Sequence, residues 1–557
     1  MSEKFDNALN LALQTEGAIR VQSDNLNASF DGQEGRWEVI VKFYGTLAAL
    51  EGRGIEIEYL LGDYAILHVP QSQMEYLGSV REIEYAELPR RFFYQVIDVK
   101  AESCFYPLTT GKSPLTGEGV LIAVLDSGID LKNPEFQRED GTTRVVYLWD
   151  QQSGEEYSQE QINELLEGSQ PVMPAADVTG HGTAVAGIAA GRLSGLSPEA
   201  GLLIVKLGTE QGDGFPMTTQ IMRGLDSVIR RALELGMPLV INLSFGNTYG
   251  PHDGSGLLAR YLDTVSGIGR NVICVGTGNE GDTGGHVNAR VSDRSLIQLS
   301  VAEYEPNLSI QMWQNYADEL EFTLYSPTGE RIPLPAQIGD GKYEIVTGNT
   351  RLLVYFGLPT PYSVKREIYI EMLPVNRGFI NGGLWEIEII GKRIVSGNLE
   401  IYLPSQESRG QNTVFLQPTP SETLTIPSTA QMVISVAGYN SVYNSYAPFS
   451  GRGYVAPDSA LITYSKPDIA APAVDIPAPS IYGGMGSFSG TSFATPIVSG
   501  AAALLMEQGI VRGEDIYMYG EKVKAVLQRR ARRQQGEMSY PNEENGWGML
   551  CVNPSPN

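Results

Sequence analysis

Three short motifs, far apart in the sequence, carry side chains that together could perform acyl transfer. Asp126 ends the apolar segment GVLIAVLD, His181 begins a His-Gly-Thr string, and Ser492 follows Gly-Thr in a segment rich in small residues. A nucleophilic serine needs a base that removes its hydroxyl proton and a carboxylate that orients this base. We therefore predict that Asp126, His181 and Ser492 form the catalytic triad of a serine hydrolase.

The choice of base is narrow, because the chain contains four histidines. His68 lies in a segment of alternating polar and apolar residues, and His252 and His286 lie in glycine-rich segments. His181 alone stands between two glycines and precedes the small-residue segment AVAGIAAG, where glycine permits close approach of neighbouring backbone. The alternative, a helix-capping Ser492 and a core histidine at 181, is not favoured, since the three ordered motifs would then be a coincidence.

The elements that must hold these residues alternate between strands and helices. Nearly continuous apolar segments such as GLLIVKLG, PLVINLSF and NVICVGTG are typical of parallel strands buried on both faces. A helical segment, TTQIMRGLDSVIRRALELG, lies between two of them, and the alternation predicts a doubly wound α/β fold with a parallel sheet. Asp126 then lies at the carboxyl end of a strand and Ser492 at the amino end of a helix, where unpaired N–H groups face the serine oxygen.

Two further regions have other patterns. Residues 37–90 predict the element order β-α-β-β-α-β, a split βαβ (ferredoxin-like) arrangement. Short alternating strands separated by turns, as in a β-sandwich or jelly roll, begin near residue 289. The predicted domains are an N-terminal α+β region at 1–95, the first part of the α/β core at 96–288, an inserted all-β domain at 289–424 and the second part of the core at 425–557.

The three motifs resemble those of the subtilase family and occur in the family's order of Asp, His and Ser. The matching strings are Asp126-Ser127-Gly128, His181-Gly182-Thr183 and the string GTSFATP around Ser492. The resemblance implies a serine endopeptidase that acts on a protein substrate through an acyl-enzyme, without a cofactor. It also implies that the N-terminal region is a propeptide, which assists folding, is cut off by the enzyme itself and inhibits it while bound.

The same resemblance assigns further residues to the site. Asn279, in VGTGNEG, matches the family's oxyanion-hole asparagine, whose amide donates to the charge that develops on the scissile carbonyl oxygen. A turn-forming asparagine is the alternative. Two segments match the walls of the primary specificity pocket, with backbones expected to pair with an extended substrate, namely Ser244, Phe245, Gly246 and Gly276, Thr277, Gly278.

The whole plan is more specifically similar to the clostridial Csp germination proteases, which share a propeptide, a subtilase core and a jelly-roll insertion. This similarity implies limited proteolysis that activates another protein, such as a spore-germination zymogen. The group includes members that lack triad residues, so a catalytically silent signalling or binding protein is the alternative. The presence of all three triad residues and of Asn279 argues against that alternative.

The junction after the predicted propeptide offers a bond for self-cleavage. Pro89 stops the last predicted strand, and the segment after it must be extended to enter an active-site cleft. The bulky residues 92–94 would fill subsites before the cut, with the break between Gln95 and Val96. A cut a few residues away, or a hydrophobic linker that is not cut at all, stays open.

Charge and hydropathy exclude several classes of partner. The formal net charge is −25, which repels nucleic-acid phosphates, so the basic run 528–533 is predicted to be a solvated helix face. No segment has the pattern of a signal peptide or the run of about 18 apolar residues that a membrane span needs. These features predict no membrane span and synthesis in the cytoplasm, and the resemblance adds a spore-associated location. The three distant cysteines, Cys104, Cys274 and Cys551, predict no disulfide scaffold and a reducing compartment, with Cys274 a small buried residue.

No metal is predicted. The connection after the His-Gly-Thr helix is short and lacks Asp or Asn, whereas Ca²⁺ takes about six to eight oxygen ligands. Asp130, Glu135 and Asp213 are predicted to be solvated surface carboxylates rather than weak ligands elsewhere. A zinc peptidase is excluded by its motif, because HExxH does not occur.

Aromatic residues in the predicted β-rich insertion allow a third function. Trp313, Tyr316 and Trp385 could serve a carbohydrate-binding module, but they are equally good core residues. We therefore favour a stabilising role for the insertion.

Overall fold

The structure, a computed structural model, describes most of the chain. The described residues are 2–20, 29–60, 62–89, 98–110, 112–168, 173–208, 216–334, 342–376, 378–454, 465–534, 536 and 539–553. The chain divides into two compact units, Met1–Val96 and Ile97–Asn557.

The first unit contains an antiparallel sheet. Its elements are α1 (Asn7–Gln14), α2 (Gly17–Arg20), β1 (Phe30–Asp31), β2 (Arg36–Phe43), α3 (Ala48–Glu51), β3 (Glu56–Leu60), β4 (Tyr64–Pro70), α4 (Met74–Leu77) and β5 (Ile83–Glu87). In β2, Trp37, Val39 and Val41 are buried and alternate with more exposed residues, the period expected of a strand with one buried face. The strands pair in the order β3-β4-β2-β5, and the predicted element order β-α-β-β-α-β is confirmed.

The second unit is built on a mainly parallel sheet. Its elements before the β-rich segment are α5 (Val99–Glu102), α6 (Tyr106–Thr109), β6 (Leu121–Asp126), β7 (Val145–Asp150), β8 (Glu155–Ser158), α7 (Gln159–Glu167), α8 (His181–Ala190), β9 (Gly201–Lys206), α9 (Thr218–Leu235), β10 (Leu239–Leu243), α10 (Leu257–Ser266) and β11 (Asn271–Gly276). Those after it are β23 (Ile434–Asn440), β24 (Ser445–Tyr446), β25 (Ile469–Pro472), β26 (Ile476–Pro479), β27 (Met485–Phe488), α11 (Thr491–Met506) and α12 (Glu521–Arg530). The strands pair in the order β24-β23-β11-β10-β6-β9-β7-β8, with β25 also beside β23.

Strand β6 shows why its segment is apolar without interruption. Ile122 and Val124 belong to one hydrophobic cluster together with residues of α8 and α11. Leu121, Ala123 and Leu125 belong to another, together with residues of α9 and α10. Helices therefore cover both faces of the sheet, as in an α/β fold whose strands are buried on both sides.

The β-rich segment between β11 and β23 forms two antiparallel sheets that share one hydrophobic cluster. Its strands are β12 (His286–Arg290), β13 (Arg294–Val301), β14 (Leu308–Asn315), β15 (Glu319–Tyr325), β16 (Arg331–Pro333), β17 (Lys342–Thr347), β18 (Thr350–Phe356), β19 (Lys365–Pro374), β20 (Gly383–Arg393), β21 (Asn398–Tyr402) and β22 (Val414–Phe415). One sheet has the order β12-β21-β14-β19-β18-β17 and the other β16-β15-β20-β13-β22. The predicted start at residue 289 falls inside β12. Trp313 and Trp385 are buried, which leaves Tyr316 as the exposed member of the proposed carbohydrate-binding set.

Helix α11 and the turn after it, Thr491–Val511, are long and apolar enough to meet the criterion for a membrane span. Its mean hydropathy is high although polar residues interrupt the apolar run, so it meets the criterion by length and composition only. However, 89% of the apolar window is buried inside the protein, so this segment is the core helix of the α/β unit.

Cys104 and Cys551 form a disulfide, contrary to the expectation from sequence. The two residues are 447 positions apart, and their Cα atoms are brought to 4.9 Å. The neighbouring backbone pairs as well, because the Val552 N–H donates to the Ser103 carbonyl oxygen at 3.0 Å. Cys274 is free and buried, and its burial raises the pKa of the thiol to about 12.

We expect the C104S/C551S double variant to unfold at a lower temperature than the oxidised wild type. The lost cross-link should lower the free energy of unfolding by about 2–5 kcal/mol. Thermal denaturation followed by circular dichroism measures the difference. A reducing agent should lower the melting temperature of the wild type and leave the double variant unchanged. Equal melting temperatures for oxidised and reduced wild type would contradict a stabilising role.

Candidate active site

Asp126 and His181 are joined by a hydrogen bond at the carboxyl ends of the parallel strands. Asp126 is the last residue of β6, and His181 is the first of α8. The distance from His181 Nδ1 to Asp126 Oδ1 is 2.8 Å, and the Ser127 N–H also donates to Oδ1. Since an ionised carboxylate only accepts, Nδ1 carries the proton and Nε2 is the free acceptor of the neutral ring.

The electrostatics of this pair raise the pKa of His181. Burial lowers the pKa of His181, but the charge of Asp126 and its hydrogen bond, with a further contribution from Asp177, raise the pKa above the ordinary value. Asp126 is itself buried, which keeps the ion pair partly shielded from water.

The glycine of the His-Gly-Thr string makes this approach possible. A Cβ at Gly182 would overlap the Gly128 carbonyl oxygen and lie 3.2 Å from Asp126 Oδ1. A residue with a side chain at 182 would therefore push the start of α8 away from the end of β6. Close packing of the two segments therefore requires glycine at the second position of the His-Gly-Thr motif.

Ser492 lies in the first turn of α11 and is held by a different partner. Its Oγ donates to the Ser244 carbonyl oxygen at 2.9 Å, so in this conformation the hydroxyl is not bonded to His181. The ring of His181 lies 5.4 Å, between centroids, from the ring of Phe493, the next residue of the helix. Transfer of the serine proton to His181 requires the hydroxyl to leave the Ser244 carbonyl.

A buried polar chain fixes the Ser244 segment against α11. The Ser244 hydroxyl donates to the Ser492 carbonyl oxygen at 2.8 Å and accepts from Asn242 Nδ2 at 2.8 Å. Asn242 in turn accepts from the Ser499 hydroxyl at 2.8 Å. Sequence reasoning missed Asn242 and Ser499, although an asparagine in the otherwise apolar strand LVINL was a visible signal.

Asn279 is oriented by the helix that carries Ser492. Its Oδ1 accepts from the Thr491 backbone N–H at 3.1 Å and lies 3.2 Å from the Thr491 hydroxyl. Only the carbonyl end of an amide can accept, so Nδ2 is left as the donor. A Cβ at Gly490 would lie 3.3 Å from this nitrogen, and Gly490 has a φ of 143°. The amide N–H₂ therefore lies beside the start of α11, in the region where an oxyanion hole is predicted.

The two segments predicted to wall the specificity pocket lie at the carboxyl ends of β10 and β11. The N–H groups of Thr277 and Gly278 already donate, to the Val436 carbonyl and the Thr491 hydroxyl. Their carbonyl oxygens accept from Thr425 and Gly451. The Thr277 and Gly278 N–H groups are therefore already used, so the predicted pairing of this segment with an extended substrate would depend on its carbonyl oxygens.

Thr425 lies between the two wall segments. Its N–H donates to the Thr277 carbonyl oxygen at 2.9 Å, and a Cβ at Gly246 or Gly278 would overlap its side chain. Thr425 is buried, and its hydroxyl has no hydrogen-bond partner within the described structure. The side chain closes the gap between the walls, which favours a shallow pocket.

We expect Thr425→Gly to broaden the preference for the residue before the scissile bond. Removal of the side chain opens the gap, and a methyl-sized change in such a pocket is worth about 1–3 kcal/mol. The ratio of kcat/KM for peptides with a large residue to those with a small residue should rise about tenfold or more. Thr425→Ser should give a smaller change. An unchanged ratio in both variants would place the pocket elsewhere.

The three carboxylates predicted to be solvated have different outcomes in the structure. Glu135 is buried rather than solvated, because its Oε2 accepts from the N–H groups of Leu193 and Ser194 and closes the turn after α8. Asp130 is half-buried, and burial raises the pKa of its carboxyl.

Asp213 and the predicted cleavage bond Gln95–Val96 lie outside the described residues. Within the described ranges, no group of three or more His, Cys, Asp or Glu side chains could hold a metal ion.

An aspartate at the end of a parallel strand, a histidine that begins one helix and a serine that begins another define a subtilisin-like α/β protein. Residues 117–335 and 396–548 match the model of the subtilase family, and the chain belongs to this family. Residues 3–90 match the Csp protease B prodomain. The resemblance noted from the motifs is confirmed at both levels.

The similar proteins agree with this placement. The structure of the Clostridium perfringens CspB protease superposes with a TM-score of 0.76 at 34% sequence identity, over 82% of this chain and 96% of that chain. The minor extracellular protease Vpr of Bacillus subtilis (strain 168) is 24% identical over 465 residues, which are 78% of this chain and 51% of Vpr. Subtilisin-like protease 5 of Trichophyton tonsurans is 29% identical over 255 residues, 45% of this chain and 54% of that protein. The chain spans about half the length of the curated relatives it matches.

Proposed function

We propose that the chain is a serine endopeptidase that hydrolyses peptide bonds through an acyl-enzyme. The observation that carries the proposal is the 2.8 Å bond between Asp126 and His181, with Ser492 in the first turn of α11 and Asn279 bonded to the start of that helix. Each group has the chemistry of one role in acyl transfer.

The reaction follows from these groups. Ser492 Oγ attacks the carbonyl carbon of the scissile bond, and His181 Nε2 takes the hydroxyl proton. Asn279 Nδ2 and the Ser492 N–H donate to the oxyanion of the tetrahedral intermediate. When the bond breaks, His181 gives its proton to the leaving amine. Water, deprotonated by the same nitrogen, then releases the acyl group and restores the serine.

The N-terminal unit supports a further part of the proposal. Its match to a Csp protease B prodomain favours a propeptide that the enzyme cuts off itself and that inhibits the enzyme while bound. Mass spectrometry of the purified protein tests this maturation. We expect two fragments from the wild type and one intact chain from Ser492→Ala. An intact wild type that cleaves added substrate would contradict autoprocessing.

A serine-directed fluorophosphonate probe tests the central proposal. The probe should label the wild type and not Ser492→Ala, because it needs an activated hydroxyl. The competing function is a catalytically silent signalling or binding protein, in which the Ser492 hydroxyl would keep its hydrogen bond to the Ser244 carbonyl oxygen. Failure of the folded wild type, freed of its prodomain, to react with the probe would support that alternative.

We also propose a physiological role and a role for the β-rich segment. The prodomain match and the likeness to CspB favour limited proteolysis of another protein, of which a spore-germination zymogen is one candidate. The shared cluster of the two antiparallel sheets favours a jelly-roll domain that stabilises the protease. Hydrolysis of candidate zymogens in vitro tests the first proposal. Chain tracing in a crystal structure tests the jelly-roll topology, and deletion of the β-rich segment followed by thermal denaturation tests its stabilising role.

A further inference from the structure

A third aspartate lies in the loop that leads into the helix of His181. Asp177 is buried, with 8% of its surface exposed, and no motif singled it out. Its carboxylate accepts hydrogen bonds from three backbone N–H groups, those of Thr179 (3.1 Å), Gly180 (2.9 Å) and Thr183 (2.8 Å). It also accepts from the hydroxyls of Ser127 (2.9 Å) and Thr179 (3.2 Å).

These bonds surround His181 on both sides in the sequence. Gly180 precedes the histidine, has a φ of 81° and occupies the N-cap position of α8, where it has no side chain to cap the helix. Asp177 supplies that cap, since it binds the Thr183 N–H in the first turn and so satisfies one of the orphan donors of a helix start.

Ser127 extends the same network to the other catalytic loop. Ser127 follows Asp126, donates to Asp177, and accepts from the Gly182 N–H at 3.0 Å. The Thr179 hydroxyl lies 2.9 Å from Ser127 Oγ. The carboxylate of Asp177 therefore ties together the segment after Asp126 and the segment that begins at His181.

We propose that Asp177 is a positioning residue for peptide hydrolysis, which holds the His181 imidazole in register with Asp126. The inference rests on the proposed peptidase function. Because the position of the imidazole decides whether Nε2 reaches the serine proton, loss of this carboxylate should act on kcat rather than on substrate binding.

Asp177 is also placed to act through its charge. Burial raises the pKa of its carboxyl, but the bonds from Thr183, Gly180 and Ser127 outweigh burial, so the net pKa is lowered and the group is ionised. The charged groups that face the imidazole are Asp126 and Asp177, and α11 contributes the uncharged ring of Phe493. Near Asp177 itself stand Asp130 and Lys206, whose Nζ donates to the Ala176 carbonyl oxygen at 3.0 Å.

Asp177→Asn tests the role, with Asp150→Asn as the matched control. Asp150 is equally buried at 8% exposure and also accepts backbone N–H groups, from Gln152 and Ala175, but it has no bond to α8. Both proteins are expressed as the full chain and compared with wild type in kcat, KM and the pH profile of kcat/KM. We expect Asp177→Asn to lower kcat about tenfold or more with little change in KM. The acid limb of the kcat/KM profile of Asp177→Asn should shift to lower pH by about half a unit or more, because removal of a negative charge lowers the pKa of His181. Asp150→Asn should change neither kcat nor the limb.

Two further measurements keep the test decisive. An NMR titration of the histidine side chains, assigned with His181→Gln, follows the pKa of His181 without hydrolysis. An unchanged pKa in Asp177→Asn would overturn the charge effect, whereas a wild type that neither hydrolyses peptides nor reacts with the probe would overturn the proposed function alone. If Asp177→Asn does not fold, Ser127→Ala removes one arm of the network and keeps the charge. It should lower kcat and leave the acid limb in place, and an unchanged kcat would overturn the positioning role.

Discussion

Ser492→Ala and His181→Ala should each abolish peptide hydrolysis while the protein stays folded. The first change removes the nucleophile, and the second removes the base that accepts its proton and later protonates the leaving amine. Since these groups act as a unit, either loss should lower kcat by several orders of magnitude, on the order of 10⁴-fold or more. Hydrolysis of a peptide library followed by mass spectrometry measures the loss.

Matched variants separate this effect from general damage. Ser408→Ala removes an exposed hydroxyl in the β-rich segment, and His68→Ala removes a histidine of the first unit, so both should keep the wild-type rate. Circular dichroism should give the same spectrum for all four variants. Wild-type rates in Ser492→Ala or His181→Ala would remove the basis of the peptidase assignment.

The charge state of His181 gives this prediction a pH dependence. The base must be neutral, and Asp126 raises the pKa of His181 above its ordinary value in spite of burial. Activity should therefore be complete above the raised pKa and be lost as the pH falls through it. The acid limb of kcat/KM should lie above the titration of a free histidine.

Asn279→Ala should lower kcat about 100- to 1000-fold and leave KM nearly unchanged. The amide N–H₂ is oriented by Thr491 and is predicted to donate to the oxyanion, an interaction that exists only once the carbonyl becomes tetrahedral. Loss of such a donor costs about 2.7–4 kcal/mol of transition-state stabilisation. Steady-state kinetics with a peptide substrate separates kcat from KM.

Asn271 offers a control at the start of β11, the strand whose carboxyl end leads to Asn279. Its amide donates to the carbonyl oxygens of Val265 and Ile268 and closes the turn before β11. Asn271→Ala should lower the melting temperature and leave kcat in place. If Asn279→Ala behaves in the same way, Asn279 is a turn-forming residue and the oxyanion hole needs another donor.

The order of the catalytic motifs and the elements that carry them could be predicted from the sequence. Continuous apolar runs predicted β6, β10 and β11, because strands buried on both faces have no solvent-exposed face that would favour polar residues. The alternation of buried and exposed residues predicted the strands of the first unit and of the β-rich segment. The glycine of His-Gly-Thr predicted a close approach, which Gly182 makes against Gly128 and Asp126.

Only the tertiary structure decided which distant residues meet. Cys104 bonds to Cys551, Ser492 donates to Ser244, and Thr425 fills the gap beside Gly246 and Gly278. Asp177 binds Ser127 across 50 positions of the chain. Helix, strand and turn patterns are local, because they depend on the spacing of neighbouring residues. These contacts instead depend on which distant segments the tertiary arrangement of strands and helices places side by side. The spacing of neighbouring residues does not predict that arrangement.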